Sequence, residues 1–389
     1  MPTAEAAAGN DGGTTDGTTE GRALRQLVVI AELGSGGAES VVVQLATRAR
    51  ARGEGVVVAS AGGWREQALA DVGVELVSVP LRRAALRDTL TSVRDLRRRL
   101  GSAPVDVVHA HNVRAALVAR LAAVGRRPRP PLLVSVHGLP ARRYRLAARV
   151  LGAAADLVVA VSCDVADRLV AGGLPAARVR VVDNAPDHPA ELDRDTARTD
   201  LGLSRTGPVV LCLARLAPPK RPDLVVRAIA QVPGVRLLVA GDGVLRAEVE
   251  GLVRELDLGG RVEVLGDRRD VARLLAAADL VVLSSDSEGL PITVLEAMAA
   301  GVPVVASRVG GLIDLDPDAV RLVEPDDVDA LGAAVSELLS DPALALAQAV
   351  RARELVAQRF STSAMDRGYR AVVRELVGRP APPADASSI

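Results

Sequence analysis

Short runs of valine, leucine and alanine recur along the whole chain, and their alternation with helical patterns limits the fold more than any other feature. The runs lie at 27–33, 55–60, 74–80, 106–111, 132–137, 156–162 and 179–184, then at 209–215, 235–241, 261–266, 279–285, 302–307 and 319–325. Near-continuous apolar strands joined by helices are typical of parallel sheets buried on both faces. The pattern predicts an α/β fold with two doubly wound, Rossmann-like domains that face each other across a cleft.

A polar, proline-containing stretch at 186–207 separates the two sets of runs and predicts an interdomain linker. The length of 389 residues suits two domains of ordinary size. We therefore expect a first domain over 25–185 and a second over 208–359. The segments 1–24 and 379–389 have the composition of disordered tails.

Composition excludes several classes of protein. The formal net charge is zero, which gives no sign of nucleic-acid binding, and one Trp, one Phe and two Tyr are too few for recognition dominated by base stacking. Two cysteines, Cys163 and Cys212, cannot build a disulfide framework, and the N-terminal segment lacks the pattern of a signal peptide. We expect a cytoplasmic protein without a membrane span.

Two carboxylates, Glu288 and Glu296, flank a predicted helix start in the segment SSDSEGLPITVLEAMAAGVPVVASRVGG. Pro291 suits the first turn and Gly301 the end of a helix from Ile292 to Ala300. The N-terminal end of such a helix attracts anions such as a diphosphate, and the two carboxylates could accept hydrogen bonds from flanking sugar hydroxyls. Taken alone, the same spacing more often means a surface Glu and a solvated helix Glu.

Lys220 is the single lysine among 48 basic residues, and it follows Arg215 by five positions across a proline-rich turn. Arg215 ends a predicted strand. A guanidinium fork and a compact ammonium at a strand end suit a diphosphate clamp, although a lysine on a loop could also be incidental.

A glycine-rich turn follows the first predicted strand and includes Gly36 and Gly37. The turn suggests a phosphate-binding loop at a helix start. A nicotinamide dehydrogenase is disfavoured, because Glu39 replaces the third glycine of the dinucleotide fingerprint and the second strand ends in Ser60 rather than an acidic residue.

The segment from Ser285 to Gly311 resembles, without a gap, the motif EGLP-x4-EAMA-x-G-x-PVVA of the retaining glycosyltransferases of family 4, which have the GT-B fold. The resemblance extends over nearly the whole chain after residue 25. It includes the family's G-G-A-E loop, the pattern R-L-x3-K at Arg215 to Lys220, and a V-H-G position at His137.

The resemblance implies a role for each matching residue. Glu288 would contact the transferred sugar, Glu296 the ribose, and His137 the sugar near its reacting carbon. Arg215 and Lys220 would hold the donor phosphates. The remaining substrate-binding positions implied in this way are backbone positions around the phosphates and the nucleobase: Gly36, Gly37, Gly243, Leu265, Gly266, Gly289 and Leu290.

The implied function is transfer of a hexose from a nucleoside-diphosphate sugar to an acceptor hydroxyl, with retention and with neither a metal nor another cofactor. The first domain would lie on the acceptor side, the second would bind the donor, and a helix at about 360–378 would cross back to the first domain. The acceptor could be a glycan, a lipid-linked sugar or a small molecule, as in cell-surface polysaccharide or glycolipid synthesis. A nucleotide-sugar 2-epimerase and a non-catalytic sugar-nucleotide-binding subunit remain the alternatives.

Three features leave alternatives open. The family commonly has P-N-G-V-D where this chain has Asp183–Asp187, which affects the expected hinge and acceptor geometry. His109 and His111 close a predicted strand and are equally consistent with an acceptor cleft or a structural role. Between Leu81 and Arg149, 16 arginines face three acids, a composition that suits either an anionic membrane surface or solvated helix faces.

Overall fold

A computed structural model describes residues 23–82, 85–187 and 192–378. Nearly all of the two tails predicted from composition therefore lies outside the described residues. Within the described part, the strands are β1 (Arg25–Val29), β2 (Gly55–Ser60), β3 (Glu75–Ser78), β4 (Val107–His111), β5 (Leu132–Val136), β6 (Leu157–Ala160), β7 (Val179–Val181), β8 (Val209–Leu213), β9 (Arg236–Ala240), β10 (Val262–Gly266), β11 (Leu280–Leu283), β12 (Val304–Ser307) and β13 (Arg321–Val323).

The α helices of the same residues separate most of these strands. They are α1 (Gly37–Ala51), α2 (Glu66–Asp71), α3 (Leu86–Ser102), α4 (Val113–Ala123), α5 (Tyr144–Ala154), α6 (Cys163–Ala171), α7 (Arg194–Asp200), α8 (Pro222–Ala230), α9 (Arg246–Glu255), α10 (Val271–Ala277), α11 (Ile292–Ala300), α12 (Val328–Ser340), α13 (Pro342–Arg359) and α14 (Thr362–Val377).

The strands form two parallel sheets, which confirms the predicted pair of doubly wound domains. In the described residues the first sheet has the order β3-β2-β1-β4-β5-β6-β7 and the second β10-β9-β8-β11-β12-β13. The strand order reverses between β1 and β4, and again between β8 and β11. Open α/β sheets bind ligands outside the carboxyl ends of strands at such switch points. The glycine-rich turn and Lys220 follow β1 and β8, so both motifs lie where this rule places a ligand.

Several strands end earlier than the apolar runs suggest. The last run of the first domain was expected to continue to residue 184, but β7 ends at Val181. Asn184 lies beyond it and donates its side-chain amide to the carbonyl of Leu290, 2.8 Å away in the second domain. The chain leaves the sheet because this segment makes contacts between the domains instead of ladder hydrogen bonds.

The predicted linker contains α7, which packs against α10 of the second domain. Arg198 on α7 is completely buried. Its guanidinium donates to the carbonyls of Ala277 and Gly207, both 3.0 Å away, and to the carboxylate of Asp279 at 2.6 Å. The sequence predicts a solvated segment here, because the stretch is polar and contains several arginines. The hydrogen bonds of Arg198 instead attach the segment to the second domain.

Helix α14 crosses back to the first sheet at the end of the described chain. Its buried side chains include Met365, Tyr369 and Val373, which pack with Val107 of β4 and Leu133 of β5. Ser361 caps the helix by accepting a hydrogen bond from the backbone of Ala364 at 3.1 Å. The C-terminal segment thus forms part of the core on the face of the first sheet that also carries α1.

The length and apolar character of the described helices bear on whether the chain can span a membrane. None of them is by itself long and apolar enough to cross a bilayer, while Val328–Ser340 together with Pro342–Val377 meets the length and composition criteria only as a pair bent by 100°.

The buried Arg198 predicts a large effect on stability. Replacing it by methionine removes the donors to four backbone carbonyls and leaves Asp279 partly uncompensated, so we expect a loss of about 3 kcal/mol in the free energy of unfolding, measured by urea denaturation. Arg205→Met is the matched control, because the Arg205 side chain is 68% exposed, and it should change stability by less than about 0.5 kcal/mol. Equal effects of the two substitutions would contradict this account of the linker.

Candidate active site

Two helix N-termini meet at the cleft between the domains. Helix α11 runs from Ile292 to Ala300 and ends at Gly301 in the left-handed conformation (φ 71°), which confirms the predicted bounds. Helix α1 begins at Gly37 after the extended Gly36. A Cβ atom added to Gly37 would lie 3.5 Å from the Ile292 side chain, so the first residues of the two helices are neighbours. Both positive dipole ends thus lie where an anion would be held.

The loop before α11 touches the first domain backbone to backbone. A side chain at Gly289 would collide with the carbonyl of His137, and a Cβ at Gly138 would lie 2.8 Å from the backbone nitrogen of Gly289. Gly311 donates its N–H to the carbonyl of Gly289 at 2.7 Å. Sequence reasoning singled out Gly289 but missed Gly138, whose only signal is its place directly after His137.

Lys220 and Glu288 form a direct ion pair between the ammonium and Oε1 of the carboxylate. The hydroxyl of Ser285 donates to the same oxygen. Glu288 is only 9% exposed, so its charge depends on these partners. The structure therefore brings together two residues that the sequence placed in separate motifs. Because the ammonium already balances a carboxylate, an incoming phosphate would compete for it.

Arg215 lies just after β8 and is exposed toward the cleft. Its charge acts on Glu39, in the first turn of α1 in the opposite domain. Burial raises the pKa of the Glu39 carboxyl, and the positive charges of Arg215 and Arg65 partly oppose this increase. The Glu39 carboxylate also covers Gly36, where it would collide with any added side chain. The glycine-rich turn and the strand-end arginine therefore belong to one electrostatic environment.

Glu296 lies inside α11 and is 9% exposed. Burial, reinforced by the nearby charge of Asp187, raises the pKa of its carboxyl to about 8, although Arg65 opposes the shift. Asp187 itself accepts a hydrogen bond from Gln44 at 2.8 Å and pairs with Arg65 at 3.4 Å. Sequence reasoning missed Arg65 and the electrostatic role of Asp187, because Arg65 approaches Glu296 from the first domain and Asp187 approaches it from the start of the predicted linker.

Two histidines of β4, His109 and His111, and His137, which directly follows β5, form one contiguous group. His111 Nδ1 lies 2.9 Å from His137 Nε2, and His109 Nε2 lies 2.8 Å from the hydroxyl of Ser135. That hydroxyl also contacts Tyr369 of α14 at 3.0 Å. Burial lowers the pKa of His137 to about 4 and that of His109 to about 3, and it lowers the pKa of His111 as well. All three rings are therefore neutral at physiological pH.

The remaining predicted positions lie on the loop after β9 and at the carboxyl end of β10. A side chain at Gly243 would collide with the carbonyl of Leu216, so glycine lets this loop pack against the segment that carries Arg215. Gly266 accepts a hydrogen bond from the backbone of Gly241 at 2.8 Å, and Leu265 packs against the main core. The loop after β10 brings the guanidinium of Arg269 5.2 Å from the ring centre of Trp64, across the cleft.

Comparison with known proteins agrees with this geometry. The model described as Glycosyltransferase Family 4 matches residues 35–188, and the model described as Glycosyl transferases group 1 matches residues 193–355. The two matched ranges contain the glycine-rich turn and the pair Glu288/Glu296, respectively. This chain belongs to the family 4 glycosyltransferases of the GT-B fold. The family assignment expected from the motifs is confirmed.

Curated relatives match part of this family 4 chain. It is 42% identical over 200 residues to a D-inositol 3-phosphate glycosyltransferase of Mycolicibacterium paratuberculosis, covering 47% of this chain and 44% of that protein. The corresponding protein of Mycobacterium marinum is 44% identical over 160 residues, covering 38% and 34%. The chain thus matches less than half the length of these relatives.

Solved structures match over more of the chain. HepE of Anabaena in complex with UDP-glucose has a TM-score of 0.81 at 24% identity, covering 91% of this chain and 100% of that one. A sucrose-phosphate synthase of Thermosynechococcus elongatus has a TM-score of 0.80 at 24% identity, covering 91% and 99%. At this identity the likeness shows the fold, which agrees with the two sheets described above.

Within the three described ranges, no group of three or more His, Cys, Asp or Glu side chains is arranged to hold a metal ion.

The raised pKa of Glu296 predicts how stability depends on pH. A carboxyl whose folded-state pKa rises from 4.5 to about 8 stabilises the fold below pH 4.5, and this contribution is lost as the pH rises through 8. Glu296→Gln cannot ionise and should avoid the loss, so its stability relative to wild type should increase by roughly 1–3 kcal/mol between pH 5 and pH 8. Urea denaturation without donor at both pH values measures this. Parallel pH profiles of the two proteins would refute it.

Proposed function

We propose that this protein transfers a hexose from a nucleoside-diphosphate sugar to an acceptor hydroxyl, with retention of anomeric configuration. The observation that carries the proposal is the convergence of Arg215, Lys220, Glu288, Glu296 and His137 on the cleft where the N-termini of α1 and α11 meet. Cations, helix dipoles and carboxylates in this arrangement match a ligand with a charged centre and hydroxyl groups on both sides.

Stabilisation of the leaving group is the main catalytic task. When the bond between the sugar and the phosphate breaks, the electron pair stays with the diphosphate, which gains negative charge. Arg215, Lys220 and the N-terminus of α11 would balance that charge. Lys220 would move from Glu288 to the phosphate, and this exchange frees Glu288 Oε1 to accept a hydrogen bond from a hydroxyl of the transferred sugar.

The sugar passes through an oxocarbenium-like state on which the acceptor oxygen attacks from the face that the diphosphate leaves. The proton of the acceptor hydroxyl goes to the departing phosphate oxygen, so the step balances without a protein nucleophile. His137 lies beside the loop that carries Glu288, where it can contact the transferred sugar. We propose that the reaction needs no metal, because protein cations and helix dipoles supply the positive charge.

The names of similar proteins suggest which substrates to test first. The HepE structure contains UDP-glucose, which supports a UDP-sugar as donor. The relatives named D-inositol 3-phosphate glycosyltransferase suggest a phosphorylated polyol among the acceptors. The other acceptors to test are glycans and lipid-linked sugars of the kind used in cell-surface polysaccharide and glycolipid synthesis. We propose that the enzyme works in the cytoplasm, at or near the inner face of the membrane.

The two carboxylates should have separable effects in a transfer assay run with EDTA. Glu288→Ala should mainly lower kcat, because Glu288 contacts the sugar that reacts. Glu296→Ala should mainly weaken donor binding, by about 1–3 kcal/mol, because it removes the hydrogen bonds to the ribose.

Donor consumption and anomeric product, measured over UDP-, GDP- and ADP-sugars, test the whole proposal. Unchanged kcat and donor affinity in both variants would remove the site assignment. Activity that EDTA abolishes and a divalent ion restores would remove the metal-independent mechanism. An altered free sugar formed without any acceptor would indicate the 2-epimerase instead.

We also propose that the arginine-rich part of the first domain docks on anionic membranes. Helices α3, α4 and α5 pack side by side on one face of the first sheet. Large apolar side chains on these helices are exposed, as are many of the arginines. The exposed apolar residues are Leu86, Leu90, Leu117, Leu121 and Leu146, and the exposed arginines include Arg94, Arg97, Arg98, Arg142, Arg143 and Arg145. Leucines among arginines favour a lipid interface over plain solvation.

Charge reversal tests the docking. Each exposed arginine contributes on the order of 1 kcal/mol near an anionic surface, so replacing Arg142, Arg143 and Arg145 together by Glu should abolish most vesicle binding at low salt. Donor hydrolysis should be unchanged. The control reverses three exposed arginines outside the first domain, Arg205, Arg227 and Arg254. If wild type fails to co-sediment with anionic vesicles at low salt, a soluble acceptor becomes the better interpretation.

A further inference from the structure

The ring of His137 has one unpartnered nitrogen at the cleft. Its Nε2 is bound to His111, while its Nδ1 is buried and has no hydrogen-bond partner among the described residues. Buried polar atoms in native proteins are nearly always satisfied, so an orphaned ring nitrogen on a residue whose backbone touches the Gly289 loop points to a ligand atom. Whether that nitrogen donates or accepts depends on where the proton of the ring lies.

His111 determines the position of that proton. Both rings are neutral, since burial lowers both pKa values, and each neutral ring carries one N–H. The hydrogen bond of 2.9 Å between His111 Nδ1 and His137 Nε2 contains one of these two protons. If His111 donates, the proton of His137 must lie on Nδ1. If His137 donates, its Nδ1 carries only a lone pair.

The surroundings of His111 are compatible with its role as the donor. Its own second nitrogen, Nε2, is also unpartnered, and the ring borders a cavity of about 40 Å³ between α1, β1, β4 and α14. That space admits one or two water molecules, and a water can donate to the bare Nε2. A bare His137 Nδ1 could accept only from a sugar hydroxyl, because the ring and glycosidic oxygens of the sugar carry no proton. An N–H there can contact each of these oxygens.

The ring of His111 is also held in place. It is 1% exposed, it stacks on His137 with ring centres 5.2 Å apart, and it contacts His109 at 4.3 Å. His109 is in turn tied to Ser135 and, through that hydroxyl, to Tyr369. A ring packed on two sides cannot rotate freely, so His111 Nδ1 stays directed at His137 Nε2.

We propose that His111 is a positioning residue whose Nδ1–H donates to His137 Nε2 and so keeps the His137 proton on Nδ1, available to an oxygen of the donor sugar. The inference rests on the proposed function for its catalytic meaning, because only a bound sugar makes the Nδ1–H useful. The tautomer itself is a property of the unliganded protein and can be measured without any substrate.

Long-range 1H–15N correlation spectra of the full-length, 15N-labelled protein report the protonated nitrogen of each ring, and the chain has only four histidines. Wild type should show His137 protonated on Nδ1. His111→Asn retains an amide donor near the position of Nδ1 and should preserve that tautomer. His111→Leu has no donor, so His137 should become a mixture of both tautomers. Tyr369→Phe is the matched control, because it removes one hydrogen bond of the same network without touching the histidine pair.

Kinetics supply the second readout. His111→Leu should lower kcat about tenfold with the donor KM changed less than about twofold, and His111→Asn should recover most of the loss. Tyr369→Phe should change kcat less than about twofold, because His111 keeps its contacts with His109 and His137.

The proposal is overturned if wild-type His137 carries its proton on Nε2, or if Tyr369→Phe shifts the tautomer as much as His111→Leu. If His111→Leu does not fold, the wild-type and His111→Asn spectra decide by themselves. Absence of transfer with every donor and acceptor would refute the proposed function, whereas the tautomer result would still decide the role of His111.

Discussion

The candidate site depends on a contact between the backbones of the two domains. The loop before α11 approaches the end of β5 so closely that Gly289 and Gly138 leave no room for side chains. Gly311 stabilises the same loop by donating its N–H to the carbonyl of Gly289. Only glycine permits such an approach. Because this contact aligns the carboxyl ends of the two sheets, Glu288 comes to lie beside His137, although they are 151 positions apart in the chain.

The unliganded cleft is an unfavourable environment for charge, and this property suits its function. Two carboxyls, those of Glu288 and Glu296, are largely removed from water, and that of Glu39 is half-buried. Glu288 forms an ion pair with Lys220, while burial raises the pKa of the Glu39 and Glu296 carboxyls. A diphosphate flanked by hydroxyl groups would offer partners to the cations and carboxyls at once. Binding energy of this kind can be used to organise the site for the transition state.

The histidine group connects the cleft to the C-terminal helix. Tyr369 of α14 reaches Ser135, which contacts His109, and His109 packs on the ring that binds His137. Buried polar groups tolerate few arrangements when every member needs a partner. Helix α14 therefore contributes to the order of the cleft as well as to the core of the first domain.

Local patterns in the sequence were sufficient to predict the strands of both sheets and the helix α11 at the candidate site. Apolar runs predicted each strand of the two sheets, because burial on both faces demands continuous Val and Leu. The bounds of α11 followed from its glycine and proline signals. Strand ends were less accurate where the chain serves another purpose, as at Asn184, and the polar segment with Arg198 gave no sign that it is buried.

The sequence by itself determined the two-domain α/β architecture, the family, and the identity of Glu288, Glu296, Arg215, Lys220 and His137 as candidates, because each depends on spacing within a short segment. Tertiary structure alone decided which of them meet. The pairing of Lys220 with Glu288, the approach of Arg65 and Asp187 to Glu296, and the contact of His111 with His137 join residues from separate strands, loops or domains. Such contacts depend on how the sheets are wound and placed against each other, and no local pattern in the sequence encodes the distance between residues of separate segments.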